Sequence, residues 1–462
     1  MKVNKTITLL TTSLTSFLTP FMASSINIAL PSIAEEFKAD AITLAWIPTI
    51  YLLAAAVFLV PFGKLADIYG RKKIFLSGII VYTISSFLCA IANSSMALLF
   101  FRVIQGFGGA MIFGTGVALL TSIFPQNERG KVLGINTASV YSGASFGPLI
   151  GGFLTQHLTW RSIFFLNAIL GIIVIFFVLV FLKGEWKFST GDKFDLAGAT
   201  VYSISLVLLL YGIADLLGTT AILFIACGLF GTLLFVLHEL RTECPIINVR
   251  LFKRNSVFAF SNLAALINYA ATAGVGFLMS LYLQYVKGIS PQNAGVILVS
   301  QAVVMACVAP VAGRLSDRVE PRIISSAGMF LTFLALVCLA FVSDGINLGI
   351  IVIILVLLGA GLGLFSSPNT NAVMSSVDKR YYGVASATLA TMRIIGQMSS
   401  LAIAMLFISL FIGNVQITGA VIPLLVSPMH AVFAVFAALC FFGIFASLRR
   451  GNVHANHELQ KT

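Results

Sequence analysis

Charged residues are scarce in this chain of 462 residues. Asp, Glu, Lys and Arg make up 10% of it, whereas a soluble domain carries about 25%. Hydrophobic residues account for 59%, and the mean hydropathy is +1.02. Apolar runs of about 20 residues, each long enough to cross a bilayer as a helix, recur from end to end. The composition predicts a membrane protein, and no stretch is polar and long enough for a separate soluble domain.

Residue types that carry out chemistry are missing where an enzyme would need them. The six cysteines form no CxxC pair, so neither a disulfide framework nor a zinc site is expected. The 16 acidic residues lie almost entirely in predicted loops or at span ends, with Asp215 the one doubtful case. The chain has no Walker-type phosphate loop for an ATP-driven pump. We therefore predict that it is not an enzyme and uses no cofactor or metal.

The hydrophobic pattern predicts fourteen spans, all helical because open strands leave backbone groups unsatisfied in lipid. Their limits are 7–31, 43–66, 73–93, 96–121, 131–155, 162–183, 195–215, 219–240, 256–286, 291–314, 322–343, 347–376, 382–412 and 427–448. All but five of the 28 basic residues fall on one predicted side of the membrane. The exceptions are Lys38, Arg161 and Lys287 on the other side, and Arg102 and Arg393 inside spans. This asymmetry predicts a multi-pass plasma-membrane protein with both termini in the cytoplasm. It also accounts for the net charge of +12 without a nucleic-acid partner.

An internal repeat divides the chain. Gly63, Leu65 and Asp67 recur as Gly313, Leu315 and Asp317. Gly106, Gly108 and Gly130 recur as Gly359, Gly361 and Gly383. We predict an N-terminal six-helix half over residues 1–190, an inserted helix pair with cytoplasmic linkers over 191–250, and a C-terminal six-helix half over 251–462. Two similar halves that rock against each other are a usual basis of alternating access, so the repeat indicates a transporter.

The loop after the second span, Gly63–Lys73, is short, begins with glycine and is strongly charged. Its Asp67 is placed to cap a helix N-terminus or to pair with a basic residue across the bundle. The loop resembles the signature loop between the second and third helices of the major facilitator superfamily, which helps to latch one state of the transport cycle. The resemblance implies a latch role for Gly63, Asp67, Gly70, Arg71 and, in the weaker second copy, Asp317. A plain positive-inside turn is the alternative.

Arg102 lies several residues inside the fourth span, in a stretch, Leu98–Ala110, that resembles the fourth-helix motif of the drug antiporter branches. A charge at that depth costs about 2.5–3.5 kcal/mol, so we expect it to face a cavity or a partner. We predict that Arg102 faces the central cavity and hydrogen-bonds the first helix, near Asn27. Snorkelling to the membrane surface is the alternative.

The fifth span contains Gly143–Gly152, which resembles the fifth-helix antiporter motif. Its glycines, Gly143, Gly147, Gly151 and Gly152, permit close helix packing, and Pro148 bends the helix. The motif favours export, and a packing kink without directional meaning is the alternative. With the fourteen spans, these motifs make nearly the whole chain similar to the fourteen-helix drug:proton antiporter family. The resemblance implies an all-α major facilitator fold with two six-helix halves and two inserted helices.

The first span departs from that family. Met22 occupies the position where the family usually carries an Asp, just ahead of Ser24–Pro31. The proton-binding carboxylate that the resemblance would imply is therefore absent. We expect any proton coupling to use another route, through Asp67 or an unidentified site, and export driven by the membrane potential is the alternative.

Polar and aromatic side chains inside the spans are candidates for the substrate cavity, although each can equally serve helix packing. The candidates are Ser24, Ser25, Asn27, Arg102, Gln105, Asn136, Tyr141, Asn268, Tyr269, Gln301, Asn369, Asn371, Arg393 and Gln397. No deeply placed carboxylate balances the two arginines. Like charge is strongly repelled in a low dielectric, so the cavity should favour neutral or anionic amphiphiles and disfavour dications.

The function expected from these features is export of small amphipathic compounds across the lipid bilayer by a monomer that works by alternating access. Uptake or facilitated diffusion of a specific solute is a second interpretation, opposed by the antiporter-like fifth span. A non-transporting membrane receptor is a third, and the lack of a soluble output domain opposes it.

Overall fold

The computed structural model describes residues 5–39, 41–188, 191–214, 220–247, 249–412 and 426–451. These residues are helical apart from short connections. The helices are α1 (Lys5–Phe37), α2 (Ala41–Tyr69), α3 (Arg71–Ala90), α4 (Ser95–Ile123), α5 (Gln126–His157), α6 (Arg161–Phe181), α7 (Leu196–Ala214), α8 (Ala221–Arg241), α9 (Arg250–Arg254), α10 (Ser256–Leu281), α11 (Pro291–Ser316), α12 (Pro321–Leu339), α13 (Leu348–Ser375), α14 (Tyr382–Ile412) and α15 (Val426–Arg449), with a π-helical turn at Tyr282–Val286. Asp215 lies outside the described residues.

Fourteen of these helices belong to the membrane bundle. Thirteen described helices are long and apolar enough to cross a membrane. The fourteenth is α5, which is 32 residues long but is less apolar because it carries glycines, hydroxyls and amides. It packs tightly against α1 and α11, so these small and polar groups meet protein as well as lipid. The predicted fourteen spans are confirmed, and the remaining helix, α9, has five residues.

The bundle consists of two halves of like construction. In the first, α1 packs on α5 and α3 on α4, and in the second the equivalent pairs are α10 with α14 and α12 with α13. The halves meet where α5 contacts α11 and where α2 and α4 contact α14. Equivalent helices therefore pair crosswise, α5 with α11 and α14 with α2, as expected for repeats related by an axis along the membrane normal.

The inserted helices lie on the outside of this bundle. α7 packs against α8, α2 and α14 and so touches both halves. One contact is the hydroxyl of Tyr202, which lies 3.4 Å from that of Thr391 on α14. Much of α8 faces outward, as at Ile222, which is 81% exposed. The inserted pair thus lies outside the two six-helix halves, and we predict that it makes no contact with the substrate.

Glycines of the antiporter-like motif bring α5 against α1. Gly143, Gly147 and Gly151 all face α1, and a side chain at Gly151 would begin 2.8 Å from the Cβ of Ser25. Ser25 also donates a hydrogen bond to the carbonyl of Gly147 at 2.9 Å. Gly152 differs, because the nearest atom to a side chain there would be 3.8 Å away. Three of the four motif glycines are thus required for packing.

Candidate substrate pathway

Two carboxylates, the buried Asp67 and the half-buried Asp317, join the halves at the face of the bundle where α1 begins and α15 ends. Asp67 accepts hydrogen bonds from the backbone N–H groups of Gly383, at 2.9 Å, and Val384, at 3.1 Å, at the start of α14. Asp317 accepts from the N–H groups of Gly130, at 2.7 Å, and of the following residue, at 2.9 Å, near the start of α5. Each carboxylate lies in one half and its donors in the other. Because helix N-termini favour negative charge, both contacts hold this face closed.

The repeated glycines let the two backbones touch at the same place. A side chain at Gly63 would begin 2.7 Å from the carbonyl oxygen of Gly383, and Gly130 is in equally tight contact with Gly313. We call this set the gate: Asp67, Asp317, Gly63, Gly130, Gly313 and Gly383. The prediction that Asp67 caps a helix is confirmed. The second loop, although the weaker copy in sequence, makes the equivalent contact through Asp317.

Arg71 completes the gate from the first half. It is fully buried, and its guanidinium pairs with Asp67 at an N–O distance of 2.6 Å. The same group donates to the backbone carbonyl of Lys379 in the other half. It also lies over the ring of Tyr382, 5.2 Å from the ring centre. Removal of one partner from a buried ion pair typically costs about 3–5 kcal/mol, so this pair stabilises the closed face only while both members are present.

The linker between α6 and α7 lies across the gate. Its Glu185 accepts hydrogen bonds at 2.9 and 3.1 Å from two N–H groups at the start of α3. Its Asp192 pairs with Lys64 of α2 at 2.9 Å and also with Arg380 of the other half. Burial raises the pKa of Asp192, but the hydrogen bonds and charges of Lys64 and Arg380 outweigh it and hold that pKa below its ordinary value. Asp192 is therefore ionised at neutral pH and bridges the halves.

Aromatic and polar side chains from both halves meet halfway through the bundle. The hydroxyl of Tyr141 on α5 lies 3.4 Å from that of Tyr269 on α10, which lies 3.4 Å from that of Ser366 on α13. Arg393 on α14 donates to Thr370 at 2.5 Å and lies 5.7 Å from the ring centre of Tyr269. Its Nε has no hydrogen-bond partner, and no carboxylate of the described residues pairs with it. We call these five residues the central cluster, and it carries an uncompensated positive charge.

A cleft of about 840 Å³ separates the halves at the face opposite the gate. One wall comes from α1 and α5, including Pro148 and Gly152 of the antiporter-like motif. The other comes from α10 and α11, including Leu298 and Ala302. Its size lies within the range of about 300–1,000 Å³ that is typical of small-molecule sites. The molecule is thus closed at one face and open at the other, with the central cluster between.

The predicted cavity residues separate into groups. Tyr141, Tyr269 and Arg393 meet in the central cluster. Four of the others make contacts between helices, namely Ser25 with Gly147, Asn136 with Ser16, Asn369 with Ser261 and Asn371 with Ser316. Ser24 donates to the carbonyl of Pro20 in its own helix. Asn268 is fully buried without a partner for its amide, Asn27 is exposed, and Gln301 and Gln397 are half-buried. None of the fourteen is among the described residues that line the cleft.

Arg102 does not occupy the position predicted for it. It is 1% exposed and donates to the carbonyl of Ile47 on α2 at 3.1 Å and to Gln105 at 2.6 Å. Gln105 in turn donates to Ser86 on α3 at 2.7 Å, and the ring of Tyr51 lies 4.6 Å from the guanidinium. All of these groups belong to the first half. The predictions that Arg102 faces the central cavity and bonds the first helix are wrong, because its side chain points toward α2 and α3.

Met22 lies inside the first half as well. It is 1% exposed, and the side-chain amide of Asn167 on α6 donates to its sulfur at 3.2 Å. The position where the similar antiporters usually carry an Asp is therefore filled by an apolar side chain. Met22 itself therefore supplies no titratable group to the pathway.

Two buried charged residues escaped the sequence prediction. Arg450, just beyond α15, is fully buried and donates to Asn369 at 3.0 Å, although no sequence signal separates it from the exposed Arg449. Glu239, near the end of α8, is 3% exposed. One of its oxygens accepts from the N–H of Ile247 at 3.2 Å, and the other has no partner. A charged residue at the end of a span can therefore be buried.

The sequence and the fold are those of a known family. The family model described as Major Facilitator Superfamily matches residues 12–400 and 261–461. The chain belongs to this superfamily. Its fold is similar to that of the human organic anion transporter MFSD10 (TETRAN), with a TM-score of 0.70 at 14% sequence identity, over 96% of this chain and 100% of that one. The protein is therefore a multi-pass membrane transporter of small molecules and not an enzyme.

Several members of the superfamily are similar in sequence over most of the chain. Riboflavin transporter RibZ of Clostridioides difficile (strain 630) is 33% identical, over 82% of this chain and 82% of its own. Cephamycin export protein CmcT of Amycolatopsis lactamdurans is 34% identical, over 84% of this chain and 82% of its own. Multidrug resistance protein Stp of Mycobacterium tuberculosis (strain CDC 1551 / Oshkosh) is 30% identical, over 87% of this chain and 76% of its own.

Proposed function

We propose that this superfamily member exports small neutral or anionic amphiphilic molecules by alternating access, as a monomer. The observation that carries the proposal is the central cluster. Arg393 offers a positive charge without a carboxylate partner, and Tyr141 and Tyr269 bring aromatic surface from both halves to it. An anionic amphiphile would satisfy the charge and cover the rings, whereas a dication would be repelled in this low dielectric.

The state of the transport cycle follows from the sidedness that we propose. Basic residues concentrate at the face with the termini and the gate, and the positive-inside rule assigns such a face to the cytoplasm. The cleft then opens to the outside, so this arrangement is the outward-open state from which an exporter releases its substrate. In this scheme the gate, with Arg71 and Gly70, is the latch of that state.

The relatives support export more than uptake. Two of them are a multidrug resistance protein and a cephamycin export protein, each similar over more than four-fifths of this chain. The riboflavin transporter favours a second candidate function, movement of one specific solute across the same pathway. Direction and substrate range separate the two, since a dedicated carrier would reject unrelated amphiphiles.

We infer that export does not use the family's first-helix proton site, because Met22 stands there. For an anionic substrate an inside-negative potential contributes about 2.3 kcal/mol per charge per 100 mV. Since about 1.36 kcal/mol corresponds to a factor of ten, that alone sustains a gradient of about fifty-fold. Membrane potential is thus a sufficient driving force, and a proton route through Asp67 is the alternative.

The test is a flux assay in proteoliposomes that contain the full chain, with pH and voltage gradients imposed separately. Three dyes of similar size are compared: one neutral, one with a single negative charge and one bis-quaternary. We expect voltage to drive the anionic dye uphill, a pH step alone to leave it unmoved, and the dication to be excluded. If the protein transported riboflavin and rejected all three dyes, this result would favour the dedicated carrier. A pH step that drives uphill flux, retained in Asp67→Asn, would show a hidden proton site.

A further inference from the structure

A second, smaller pocket lies away from the transport pathway, where the inserted helices meet both halves. Its volume is about 270 Å³. The lining comes from five helices, represented by Val60 on α2, Tyr202 on α7, Phe235 on α8, Phe252 on α9 and Met392 on α14. Several of its residues are only half-buried, so the pocket opens on the lipid-facing surface of the bundle.

The polar groups in this pocket are already bonded. Its hydroxyls are those of Ser205, Thr232, Thr388, Thr391 and Tyr202. The first four donate to backbone carbonyls of their own helices at 2.6 to 3.0 Å, and the last lies 3.4 Å from Thr391. The donor hydrogens of these hydroxyls are thus already used, and the rest of the lining is apolar, which favours a hydrocarbon occupant.

One end of the pocket is adjacent to a basic helix. Phe252 of α9 lines the pocket, and Arg250, Lys253 and Arg254 of the same helix are exposed. Lys253 and Arg254 form no ion pair within the described part of the chain. Basic residues close to the cytoplasmic surface of a membrane each attract anionic lipid by about 1 kcal/mol.

We propose that this pocket binds one acyl chain of an anionic phospholipid, with the phosphate held by Lys253 and Arg254. Because Lys253 and Arg254 of α9 are positively charged, we expect an anionic phospholipid to bind more tightly than a zwitterionic one. Because α2 and α14 belong to different halves, the bound chain contacts both. A ligand that prefers one arrangement shifts the population toward it, so the lipid stabilises the state in which the gate is closed. This site is independent of the transported substrate.

The test measures thermal unfolding and native mass spectra of the full chain in detergent. Phosphatidylglycerol is compared with phosphatidylcholine of identical acyl chains and with glycerol phosphate alone. We expect one phosphatidylglycerol to be retained per protein and to raise Tm, since a ligand that binds only the folded state stabilises it. Phosphatidylcholine should raise Tm less, and glycerol phosphate should leave it unchanged.

Two sets of variants test the contacts of the acyl chain and of the phosphate separately. Val236→Trp fills the pocket from α8 and should abolish retention, whereas Leu237→Trp, on the exposed side of the same helix, should not. Met392→Trp fills the pocket from α14 and is the independent test if the first variant folds poorly. Lys253→Gln with Arg254→Gln should reduce the phosphatidylglycerol effect to that of phosphatidylcholine, and Lys183→Gln with Lys187→Gln should leave it intact. Retention that survives both tryptophan variants, or a Tm rise with glycerol phosphate alone, would overturn the proposal.

Discussion

Arg102 and Arg393 are both guanidinium groups inside membrane spans, but their neighbours differ. Arg102 connects α2, α3 and α4 within one half and is 1% exposed. Arg393 is half-buried at the junction of the halves, between the cleft and the gate. The first is placed to hold a bundle together, and we propose that the second meets the substrate. Each role leads to a different measurable loss.

We expect Arg393→Ala to weaken binding of the anionic dye at least tenfold with little change in Tm. A hydrogen bond to a charged group contributes about 1.5–3 kcal/mol, which corresponds to more than a factor of ten. Arg102→Ala should instead lower Tm, because Gln105 and the carbonyl of Ile47 lose their donor, while the folded fraction keeps its affinity. Dye titration and thermal unfolding measure the two effects. Arg393→Lys, which keeps the charge, is the control, and unchanged affinity in Arg393→Ala would contradict the assignment.

At the scale of elements, the gate joins the halves at the starts of two helices, and each start is capped by a carboxylate from the opposite half. α14 receives Asp67 and α5 receives Asp317, so the gate has two equivalent contacts on its two sides. The linker before α7 adds a third connection through Asp192, which bonds both halves. These contacts must all break before the face that carries the termini can open.

Asp67→Asn and Asp317→Asn should each raise the population of the gate-open state about tenfold or more. Each substitution removes a negative charge from a helix N-terminus and weakens two hydrogen bonds, worth about 1.5–3 kcal/mol for charged acceptors. Distances between spin labels at the ends of α3 and α12 nearest the gate would measure the population of the gate-open state. Asp67→Asn should have the larger effect, since it also leaves Arg71 buried without its ion pair. No change of distance in either variant would show that these carboxylates do not hold the gate.

Asp192→Asn should open the gate by a smaller factor, because the bond from Asp192 to the other half is made to Arg380, whose side chain is 50% exposed. Glu185→Gln is the matched control, since among the described residues Glu185 accepts hydrogen bonds only from N–H groups of its own side, at the start of α3 and at Trp186 of the same linker. The lowered pKa of Asp192 means that its bridge is fully formed above the ordinary carboxyl pKa and is lost as pH falls through the lowered value. Between about pH 6 and 8 the gate distances should therefore not change through this group. If the gate distances changed with pH in that range, and if this change disappeared in Asp192→Asn, the expectation would be contradicted.

At the scale of the whole molecule, the cleft, the central cluster and the gate lie in sequence along one path between two halves. The inserted pair is outside this path, against α2 and α14. An alternating-access cycle requires only that the contacts at the gate be exchanged for contacts across the cleft. The helix pair then moves with one half or slides against both.

Labelling from the outside tests this arrangement. Ala302→Cys, in the cleft wall, should react with a membrane-impermeant maleimide and should be protected by the anionic dye. The protein's own Cys227, exposed on α8, should show no substrate protection and serves as the internal control. Ser316 is fully buried beside the gate, on the face opposite the cleft, so Ser316→Cys should stay unlabelled by the same reagent added at that face until Asp317→Asn opens the gate. Dye protection of Cys227 would place the inserted pair on the substrate path and refute its outside role.

The sequence by itself determined the properties that depend on local composition. Hydrophobic length located fourteen helices, and the spacing of Gly63, Asp67 and their repeats indicated two halves. These inferences succeed because the bilayer imposes the same length rule on every span, whatever it packs against. The sidedness that the basic residues indicate stays a prediction.

Only the tertiary structure decided which side chains meet. The depth of Arg102 in its span was readable, but its direction around the helix axis depends on α2 and α3. Nothing local indicates that Asp67 reaches Gly383 while Asp317 reaches Gly130, or that Asp192 joins both halves across the gate. These partners lie more than a hundred residues apart and come together only when the two bundles pack, so their contacts are a property of the whole fold.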